Sequence, residues 1–455
     1  MTYETDWLGT IPVFYNSRTR RASHLLNDVI DFPNLEFDPE GLNNYLDYGY
    51  CVFELTPFKD VRFLRFSSRI TVDDGKSLAI QYLDDPVCTT GLHGCSDEAV
   101  WELFRSKIAA WERGVDGEIV VPTSAGFDSR LLDFFLHDKS RIRAFTYGVT
   151  RRQTDCQEPV YARKLCEILG IPWKQILLGN FFAPAYLRRW LDQFGASTHA
   201  HGMYHIEFYD RILEVLGPGK ALLSGIFGDI WAGNFSPVSV RGPEDLRQLS
   251  YSHGMNANPS QSLRKGSHEA RDGFWERHKE LLQDRFLQPL WLVRLKIMLI
   301  GYLLRIPASL GFKPWSPFLD YDLALSMLGL PEGRRRGRQW QIDFLARNGI
   351  DLENLRLRCS RRNQQDGEAL KKNPLQPLRI DLLRQVIRPA YIEWINKMVA
   401  TRSVPLDIYT SAIRYPKVGG VMRRLRFSDH RDVALNAYLT LLPLQDALER
   451  REATG

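Results

Sequence analysis

Small hydroxylated residues and one carboxylate come together in the stretch Ser124-Ala125-Gly126-Phe127-Asp128-Ser129. The hydroxyls of Ser124 and Ser129, and the backbone N–H groups around Gly126, are donors of the kind that hold phosphate oxygens. Gly126 has no Cβ, so an anion can approach the backbone closely there. Asp128 is the one carboxylate of the stretch, and beside a polyphosphate a carboxylate usually ligates magnesium. This spacing therefore indicates the binding of a polyphosphate together with Mg²⁺.

A second carboxylate stands in similar surroundings. The apolar run Ala221-Leu222-Leu223 is followed by Ser224 and Gly225, and the pair Gly228-Asp229 comes shortly afterwards. Loops at the carboxyl ends of neighbouring parallel strands converge on one crevice. We therefore expect Asp128 and Asp229 to share a magnesium ion, although a glycine-flanked aspartate taken alone is more often structural.

The elements that must position these residues can be predicted from the pattern of apolar residues. Ile119 to Val121 is typical of a short buried strand, and Ser129 to His137 of the start of a helix. The run 143–149 indicates a second parallel strand, ended by glycine. Residues 155–170 carry apolar side chains at helical spacing, with Gly170 as the stop. We predict an α/β fold with a parallel, doubly wound sheet.

These segments carry a resemblance to a known family. Ser124 to Ser129 resembles the Ser-Gly-Gly-x-Asp-Ser signature of the PP-loop ATP pyrophosphatases, with Ala125 at the position of the first glycine. The flanks, the segment from Ser224 to Asp229, and the segment from Pro317 to Asp320 resemble the synthetase domain of the asparagine synthetase family. The blocks occur in the family's order over roughly residues 100 to 345, which random agreement rarely produces.

The resemblance implies a reaction. ATP and Mg²⁺ bind at the loop, a substrate carboxylate attacks the α-phosphorus to give an acyl-adenylate and pyrophosphate, and an amine or ammonia then displaces AMP to leave an amide. It also implies site residues. Those that bind the nucleotide are Ser124, Ala125, Gly126, Phe127, Asp128, Ser129, Tyr147, Gly148, Ser224 and Gly225, and those with catalytic roles are Asp128, Asp229 and Arg361, of which the two aspartates ligate magnesium.

Departures from the family pattern suggest a divergent member without a functional glutaminase domain. Ile226 stands where relatives carry a glutamate or a tyrosine that takes part in proton transfer, and isoleucine cannot transfer a proton. Thr2 stands where glutamine-hydrolysing members expose a catalytic cysteine. Family members carry a lysine that stabilises the transition state of adenylate formation. It has no secure counterpart in this sequence, and Arg361, Arg362 or Lys371 could take its role. The amino group is therefore expected from free ammonia, an amine substrate or a partner protein.

The chain divides, by the same resemblance, at about residue 95. We predict that residues 1–95 are a small α+β remnant of a glutaminase-type domain, and that residues 96–455 form the ATP-binding synthetase domain with a mainly helical C-terminal part. Residues 235–275 are rich in Ser, Pro, Gly and Arg and predict a polar inserted loop or lid.

Two basic clusters remain outside these blocks, Arg334 to Arg338 and Arg356 to Arg362. Guanidinium groups match phosphate oxygens, so either cluster could bind phosphates of ATP or of a phosphorylated substrate. For the first cluster we favour a solvated surface loop.

Composition is that of a globular enzyme. The chain has 455 residues, 44% of them hydrophobic, and a net charge of only +6, which does not demand a nucleic-acid partner. Six scattered cysteines fit a reducing compartment, and the acidic start lacks a secretion signal. The apolar stretch 290–306 contains Arg294, Lys296 and Arg305, so we assign it to a helix of the domain and not to a stable membrane span. We expect a cytoplasmic protein.

Two other functions remain open. Ala125, Ile226 and Thr2 motivate a catalytically impaired pseudoenzyme that binds ATP or a partner without turnover. The second open function is another PP-loop reaction, such as nucleoside or tRNA modification. Against it, the sequence shows no basic and aromatic surface for binding RNA. The departures favour a specialised pathway that makes a polysaccharide or a peptide natural product. The carboxylate would then belong to a small molecule, a peptide or a glycan.

Overall fold

The structure is a computed structural model that describes residues 1–73, 76–87, 94–250, 254–400 and 429–454. Its strands, in chain order, are β1 (Thr2–Thr5), β2 (Phe14–Asn16), β3 (Arg21–Ser23), β4 (Val61–Phe63), β5 (Ser68–Asp73), β6 (Ser77–Tyr82), β7 (Ile119–Pro122), β8 (Ile142–Tyr147), β9 (Trp173–Ile176), β10 (Ala221–Leu223) and β11 (Lys313–Trp315).

The helices alternate with the later strands and then dominate the chain. They are α1 (Leu26–Val29), α2 (Pro39–Tyr48), α3 (Asp97–Arg113), α4 (Phe127–Phe135), α5 (Gln157–Leu169), α6 (Pro184–Phe194), α7 (Met203–Leu216), α8 (Leu246–Leu249), α9 (Glu269–Gln283), α10 (Gln288–Ile300), α11 (Tyr302–Ser309), α12 (Tyr321–Leu328), α13 (Glu332–Arg335), α14 (Gln339–Arg347), α15 (Gln365–Lys372), α16 (Ile380–Leu383), α17 (Pro389–Ala400) and α18 (His430–Thr454). Within the described ranges, every regular element after β11 is helical, as expected for the C-terminal part.

Five parallel strands form the central sheet, in the order β11-β10-β7-β8-β9. The mixed α/β architecture with a parallel sheet is therefore confirmed. The chain begins this sheet in the middle, at β7, adds β8 and β9 on one side, and then returns to add β10 and β11 on the other. The direction in which successive strands are added therefore reverses between β7 and β10. In open parallel sheets, ligands bind at such a reversal, outside the carboxyl ends of the strands.

The middle strand is the most deeply buried part of the sheet. Ile119, Val120 and Val121 of β7 have no exposed surface. A strand covered on both faces needs a continuous apolar run, because neither face can present polar side chains to water. The predicted strand at Ile119 to Val121 is confirmed on this basis, with Pro122 added at its end.

Helix α4 begins earlier than the sequence pattern suggested. The apolar periodicity predicted a start at Ser129, whereas the helix begins at Phe127, with Gly126 as the residue before its first turn. Gly126 has no side chain to bond the first amide groups of the helix. The segment 124–129 therefore runs directly into the helix, so that its last three residues form the first helical turn.

Residues 1–95 contain two small antiparallel sheets, in which β5 lies between β1 and β6, and β2 lies between β3 and β4. Part of this region continues the apolar core of the rest of the chain. Tyr45 is fully buried and donates to the Thr440 carbonyl of α18 at 3.0 Å, and Trp7 Nε1 donates to the Leu319 carbonyl at 3.1 Å. The boundary proposed near residue 95 is therefore crossed by buried contacts.

The apolar stretch 290–306 folds as two helices, α10 and α11, which meet at Gly301. Arg294 is buried and donates to both carboxylate oxygens of Asp85 at 2.7 and 2.8 Å. Lys296 is also buried, which lowers its pKa to about 8. Within the described part of the chain, no helix is sufficiently long and apolar to cross a membrane.

The segment 235–275 includes helix α8 and the start of α9. Leu246 and Leu249 have no exposed surface, and Phe274 and Trp275 are buried. The described residues of this segment therefore pack against the core through apolar side chains, which the abundance of Ser, Pro and Gly did not indicate. Residues 251–253 lie outside the described ranges.

Candidate functional site

A cavity of about 550 Å³ lies at the carboxyl ends of β7, β8 and β10. It spans the reversal in strand order, where the loop after β7 faces the loop after β10. The polar residues that line it include Ser124, Asp128, Ser129, Glu158, Ser224 and Asp229. The two carboxylates that the sequence singled out, Asp128 and Asp229, therefore open on the same space. Its volume is in the usual range of small-molecule sites.

Hydrogen bonds among the serines close the loop after β7. Ser124 N–H donates to the Ser129 hydroxyl at 3.0 Å, and the two hydroxyls lie 3.0 Å apart. Gly126 N–H donates to the Ser124 hydroxyl at 3.1 Å. A Cβ added at Gly126 would lie 3.2 Å from that hydroxyl oxygen, so the loop is tight at the glycine. The serines thus shape the loop as well as lining the cavity.

Arg130 holds the loop after β7 in place. Its side chain is fully buried and donates to the Ala125 carbonyl, and it makes a two-pronged ion pair with Glu353 at 2.7 and 2.8 Å. Paired N–H groups on a carboxylate fix geometry better than a single contact does. The guanidinium also lies near the ring faces of Phe127 and Tyr161, at 5.3 and 5.6 Å from their centroids. Arg130 therefore fixes the position of the loop.

Glu158, in the first turn of α5, reaches into the loop. Its carboxylate accepts a hydrogen bond from the Ala125 N–H at 2.5 Å. Backbone N–H groups at this position are the donors that a phosphate loop presents to an anion. The carboxylate of Glu158 thus occupies a donor that a phosphate oxygen would use.

Asp128 is paired with a cation from a distant part of the chain. Arg338 lies 2.6 Å from its Oδ1, and Gln341 donates to the same oxygen at 3.4 Å. Burial raises the pKa of Asp128 to about 6, the charge of Arg338 opposes that rise, and the charge of Asp229 adds to it. Asp128 is therefore an acid whose charge depends on its neighbours near neutral pH.

The loop after β10 brings Asp229 towards Asp128. A Cβ at Gly228 would lie 2.6 Å from Cγ of Asp128, and a Cβ at Gly225 would lie 3.3 Å from its Cβ. Both glycines thus permit close approach of the two loops, which explains why the Ser224-Gly225 and Gly228-Asp229 pairs carry so little side-chain bulk. Asn234 donates to Asp229 at 3.0 Å and orients its carboxylate.

The remaining part of the cavity is apolar. Ile226, Phe208, Tyr209, Ile300 and Leu303 are among the residues that line it. His205 lies in the same wall, and burial lowers its pKa to about 3, so its imidazole is neutral. This end can accommodate an apolar or aromatic body with few charged groups.

The predicted nucleotide-binding residues separate into two groups. Those that line the cavity are Ser124, Gly126, Asp128, Ser129, Tyr147, Ser224 and Gly225. The other three, Ala125, Phe127 and Gly148, do not line the cavity. Ala125 is buried, and the ring centroid of Phe127 lies 4.7 Å from the guanidinium carbon of Arg338. A Cβ at Gly148 would lie 2.2 Å from the Gln153 carbonyl oxygen. These three residues support the loops.

Arg361, the basic residue expected near the adenylate, has an exposed side chain and does not line this cavity. Its neighbour Ser360 accepts from Gln157 N–H at 3.0 Å and donates through its own N–H to the Asp155 carbonyl at 2.7 Å. The segment around Arg361 therefore runs beside the N-terminus of α5, next to the cavity but outside its wall.

The expectation of a solvated loop at Arg334 to Arg338 is wrong for most of the cluster. Arg334 pairs with Asp97 and Asp343, Arg335 is buried, and Arg338 reaches Asp128. Arg338 is the site residue that sequence reasoning missed. It lies 210 positions from Asp128, so no local spacing could connect them.

No model of a protein family matches the chain, and a search of curated proteins finds no significant match. The described residues contain no group of three or more His, Cys, Asp or Glu side chains placed to hold a metal ion. Asp128 and Asp229 are a pair of carboxylates and do not form a complete protein cage for a cation.

Proposed function

We propose that this protein is an ATP-dependent ligase that adenylates a carboxylate and transfers the acyl group to an amine or to ammonia, as its resemblance to the asparagine synthetase family implies. The observation that carries the proposal is that Asp128 and Asp229 line one cavity at the reversal in strand order, beside the loop whose sequence resembles the PP-loop signature. The strand order supports this fold type, since a nucleotide site at the reversal is a general property of doubly wound sheets.

The loop after β7 suits a pyrophosphate group. The first turn of α4 lacks a capping side chain, and uncapped helix N-termini attract anions because their amide groups point outwards. The hydroxyls of Ser124 and Ser129 add donors beside it. In this reaction, these groups would hold the leaving pyrophosphate and offset the charge that develops on it.

The carboxylate pair suits magnesium. Mg²⁺ commonly takes only one or two protein carboxylates and completes its shell with phosphate oxygens and water, so a full protein cage is not needed. Asp128 and Asp229 supply that number. Magnesium would supply charge neutralisation for the polyphosphate, and Arg338 would contribute a second positive charge near the same oxygens.

The apolar end of the cavity suits the acyl or adenine moiety, and its lining constrains the second half-reaction. Ile226 presents an aliphatic wall where a proton acceptor is expected. An amine that meets no base at this position must arrive unprotonated. We therefore assign to this chain a nucleophile that reaches the site as the free base, either a weakly basic amine or ammonia that a partner protein delivers unprotonated.

The test is pyrophosphate release from ATP with a panel of carboxylates and amines. Asp128→Asn and Asp229→Asn are each expected to lower the rate by about a hundredfold or more, because a ligand to the metal is lost. Asp272→Asn is the matched control, since the Asp272 side chain is half-exposed on α9 and pairs only with Arg271 among the described residues. Wild-type protein that fails to bind Mg-ATP would exclude adenylation.

A pseudoenzyme is the second candidate, and two contacts favour it. Arg338 neutralises Asp128, and Glu158 occupies the Ala125 N–H, so that groups needed for ATP already have protein partners. Mg-ATP binding without pyrophosphate release across the panel would support this alternative.

A further inference from the structure

A second cavity, of about 450 Å³, is lined in part by the turn that follows Asp229. Phe235, Pro237 and Phe286 provide its apolar lining, and Arg285, Arg335 and Arg336 provide its charged lining. We define this as the arginine cavity. It is lined by none of the residues that line the cavity at the carboxyl ends of the sheet strands.

The arginine cavity has an excess of positive charge. Three arginines and one acidic residue, Glu332, line it. Arg285 and Arg336 are exposed and form no ion pair with any described residue. Clefts lined by one sign of charge focus the field and concentrate ions of the opposite sign. The cavity is therefore electrostatically suited to an anion.

Arg335 is the strongest indication of an anion site, because it is a buried cation with few hydrogen-bond partners. Only 9% of its surface is exposed, its Nη1 donates to the Leu328 carbonyl at 3.3 Å, and its buried Nε has no hydrogen-bond partner. Burial lowers its pKa. A buried charge is costly unless it is paired, so an anion in the cavity would offset that cost.

The neighbouring arginines provide an internal comparison. Arg334 is neutralised by Asp97 and Asp343, and Arg338 by Asp128. Within the same short segment, the two arginines that do not line the arginine cavity are thus paired with protein carboxylates, whereas Arg335 and Arg336, which line it, form no ion pair with a described residue.

The apolar lining indicates what carries the anionic group. Phe286 is 50% exposed and lines the cavity. Phe235 lines the same space. Aromatic faces beside guanidinium groups suit a ligand with a planar apolar body and an anionic end.

We propose that the arginine cavity binds an organic anion, a carboxylate or phosphate ester on an aromatic or otherwise apolar body, at a site separate from the one assigned to ATP. The site stands on its own charge and lining and does not depend on the ligase function. It adjoins that function in space, since Gly233 follows Asp229 by one turn and Gly337 directly precedes Arg338.

The test is calorimetric titration of the full chain with phenyl phosphate and with benzoate, which separate the two anion chemistries, and with inorganic phosphate and phenol, which lack the body or the charge. We expect saturable binding of phenyl phosphate, benzoate or both. Arg285→Gln and Arg336→Gln should each weaken it about tenfold, the usual effect of losing a charged hydrogen bond. Both side chains are exposed, so folding should be retained, as thermal unfolding will check.

Two controls make the test decisive. Arg163→Gln removes an exposed arginine of α5 and should leave binding unchanged. Ser129→Ala alters the loop after β7 and should leave unchanged the part of the binding that Arg285→Gln and Arg336→Gln weaken. The proposal is overturned if neither probe binds, if Arg163→Gln weakens binding as much as the cavity variants do, or if only Ser129→Ala weakens it. Equal affinity for inorganic phosphate and phenyl phosphate would overturn the apolar part of the assignment.

Discussion

At the scale of single residues, charge balance around Asp128 decides what the site can bind. Burial and the charge of Asp229 raise the pKa of Asp128 and so favour its protonated form. The charge of Arg338 lowers the pKa and favours the ionised form. A metal ion that binds Asp128 must therefore compete with a proton and with a guanidinium group. Both competitors can be tested separately.

Magnesium-dependent ATP binding should weaken as the pH falls through about 6, because Asp128 is protonated there. In Arg338→Gln the midpoint should move to higher pH, by about one unit, since the cation that lowers the pKa of Asp128 is gone. The measurement is the Mg-ATP dissociation constant from pH 5 to pH 8. Arg347→Gln, on the exposed face of α14, should keep the wild-type midpoint. A midpoint that moves down in Arg338→Gln would contradict this account.

A second buried acid, Asp133, lies below the loop on α4. It accepts a hydrogen bond from the Thr123 hydroxyl at 2.8 Å, and burial raises its pKa to about 7. A raised pKa means that the folded state holds the proton more tightly than the unfolded state. This contribution to stability is present at low pH and is lost as the pH rises towards 7.

Asp133→Asn should therefore gain stability relative to wild type as the pH rises. We expect the difference in unfolding free energy to favour the variant by about 2 kcal/mol more at pH 8 than at pH 5. Urea unfolding at both pH values measures it. Asp116→Asn, at an exposed position before β7, should show no such trend. A pH-independent difference would mean that Asp133 stays charged when folded.

At the residue scale, the sequence could select only residues whose signal is local. Ser124, Asp128 and Ser129 could be selected because a turn between a strand and a helix keeps neighbours in sequence close in space. Arg338 and Gln341 could not, since four more strands and several helices separate them from Asp128 along the chain. A run of arginines has the same composition on a solvated loop as in a buried ion pair.

At the scale of elements, two loops must approach closely for the carboxylates to share one cavity. The parallel pairing of β7 and β10 sets their spacing, with Ala221 opposite Ile119 and Leu222 opposite Val120. Strand positions were predictable from apolar runs. The convergence of the loops after β7 and β10 was expected from the general arrangement of parallel sheets. Helix α4 began two residues earlier than its periodicity suggested, because only Phe127 in its first turn is apolar.

Gly228 tests this close approach. In Gly228→Ala the new Cβ would lie 2.6 Å from Cγ of Asp128 and 2.7 Å from the Phe318 ring, so the loop must shift. We expect a loss of about 1–3 kcal/mol in unfolding free energy, the usual cost of overpacking, together with weaker Mg-ATP binding. Gly367→Ala, on α15 with open space around it, should be neutral or stabilising. Equal effects of the two substitutions would rule out a packing role for Gly228.

At the scale of the whole molecule, the first 95 residues are joined to the rest by buried contacts. Arg294 of α10 pairs with Asp85 and donates to the Trp7 carbonyl, and the Tyr50 hydroxyl donates to the Ser250 carbonyl at 2.5 Å. The apolar core includes Phe14 and Leu42 together with residues of the central sheet. The remnant-domain interpretation concerns ancestry, and it does not require that this region fold separately.

A chain that begins at residue 96 should therefore fail to fold cooperatively. Removing residues 1–95 would leave Arg294 buried without Asp85 and would expose apolar surface that Tyr45 and its neighbours cover, and the loss of a buried partner alone costs several kcal/mol. Thermal unfolding and size-exclusion chromatography of residues 96–455 measure the effect against the full chain. Adding residues 1–95 as a separate polypeptide should restore part of the cooperative transition, because the contacts are noncovalent. A monodisperse 96–455 fragment with a sharp transition of its own would instead establish residues 1–95 as a dispensable addition, and Asp128 and Asp229 as parts of a domain that folds by itself.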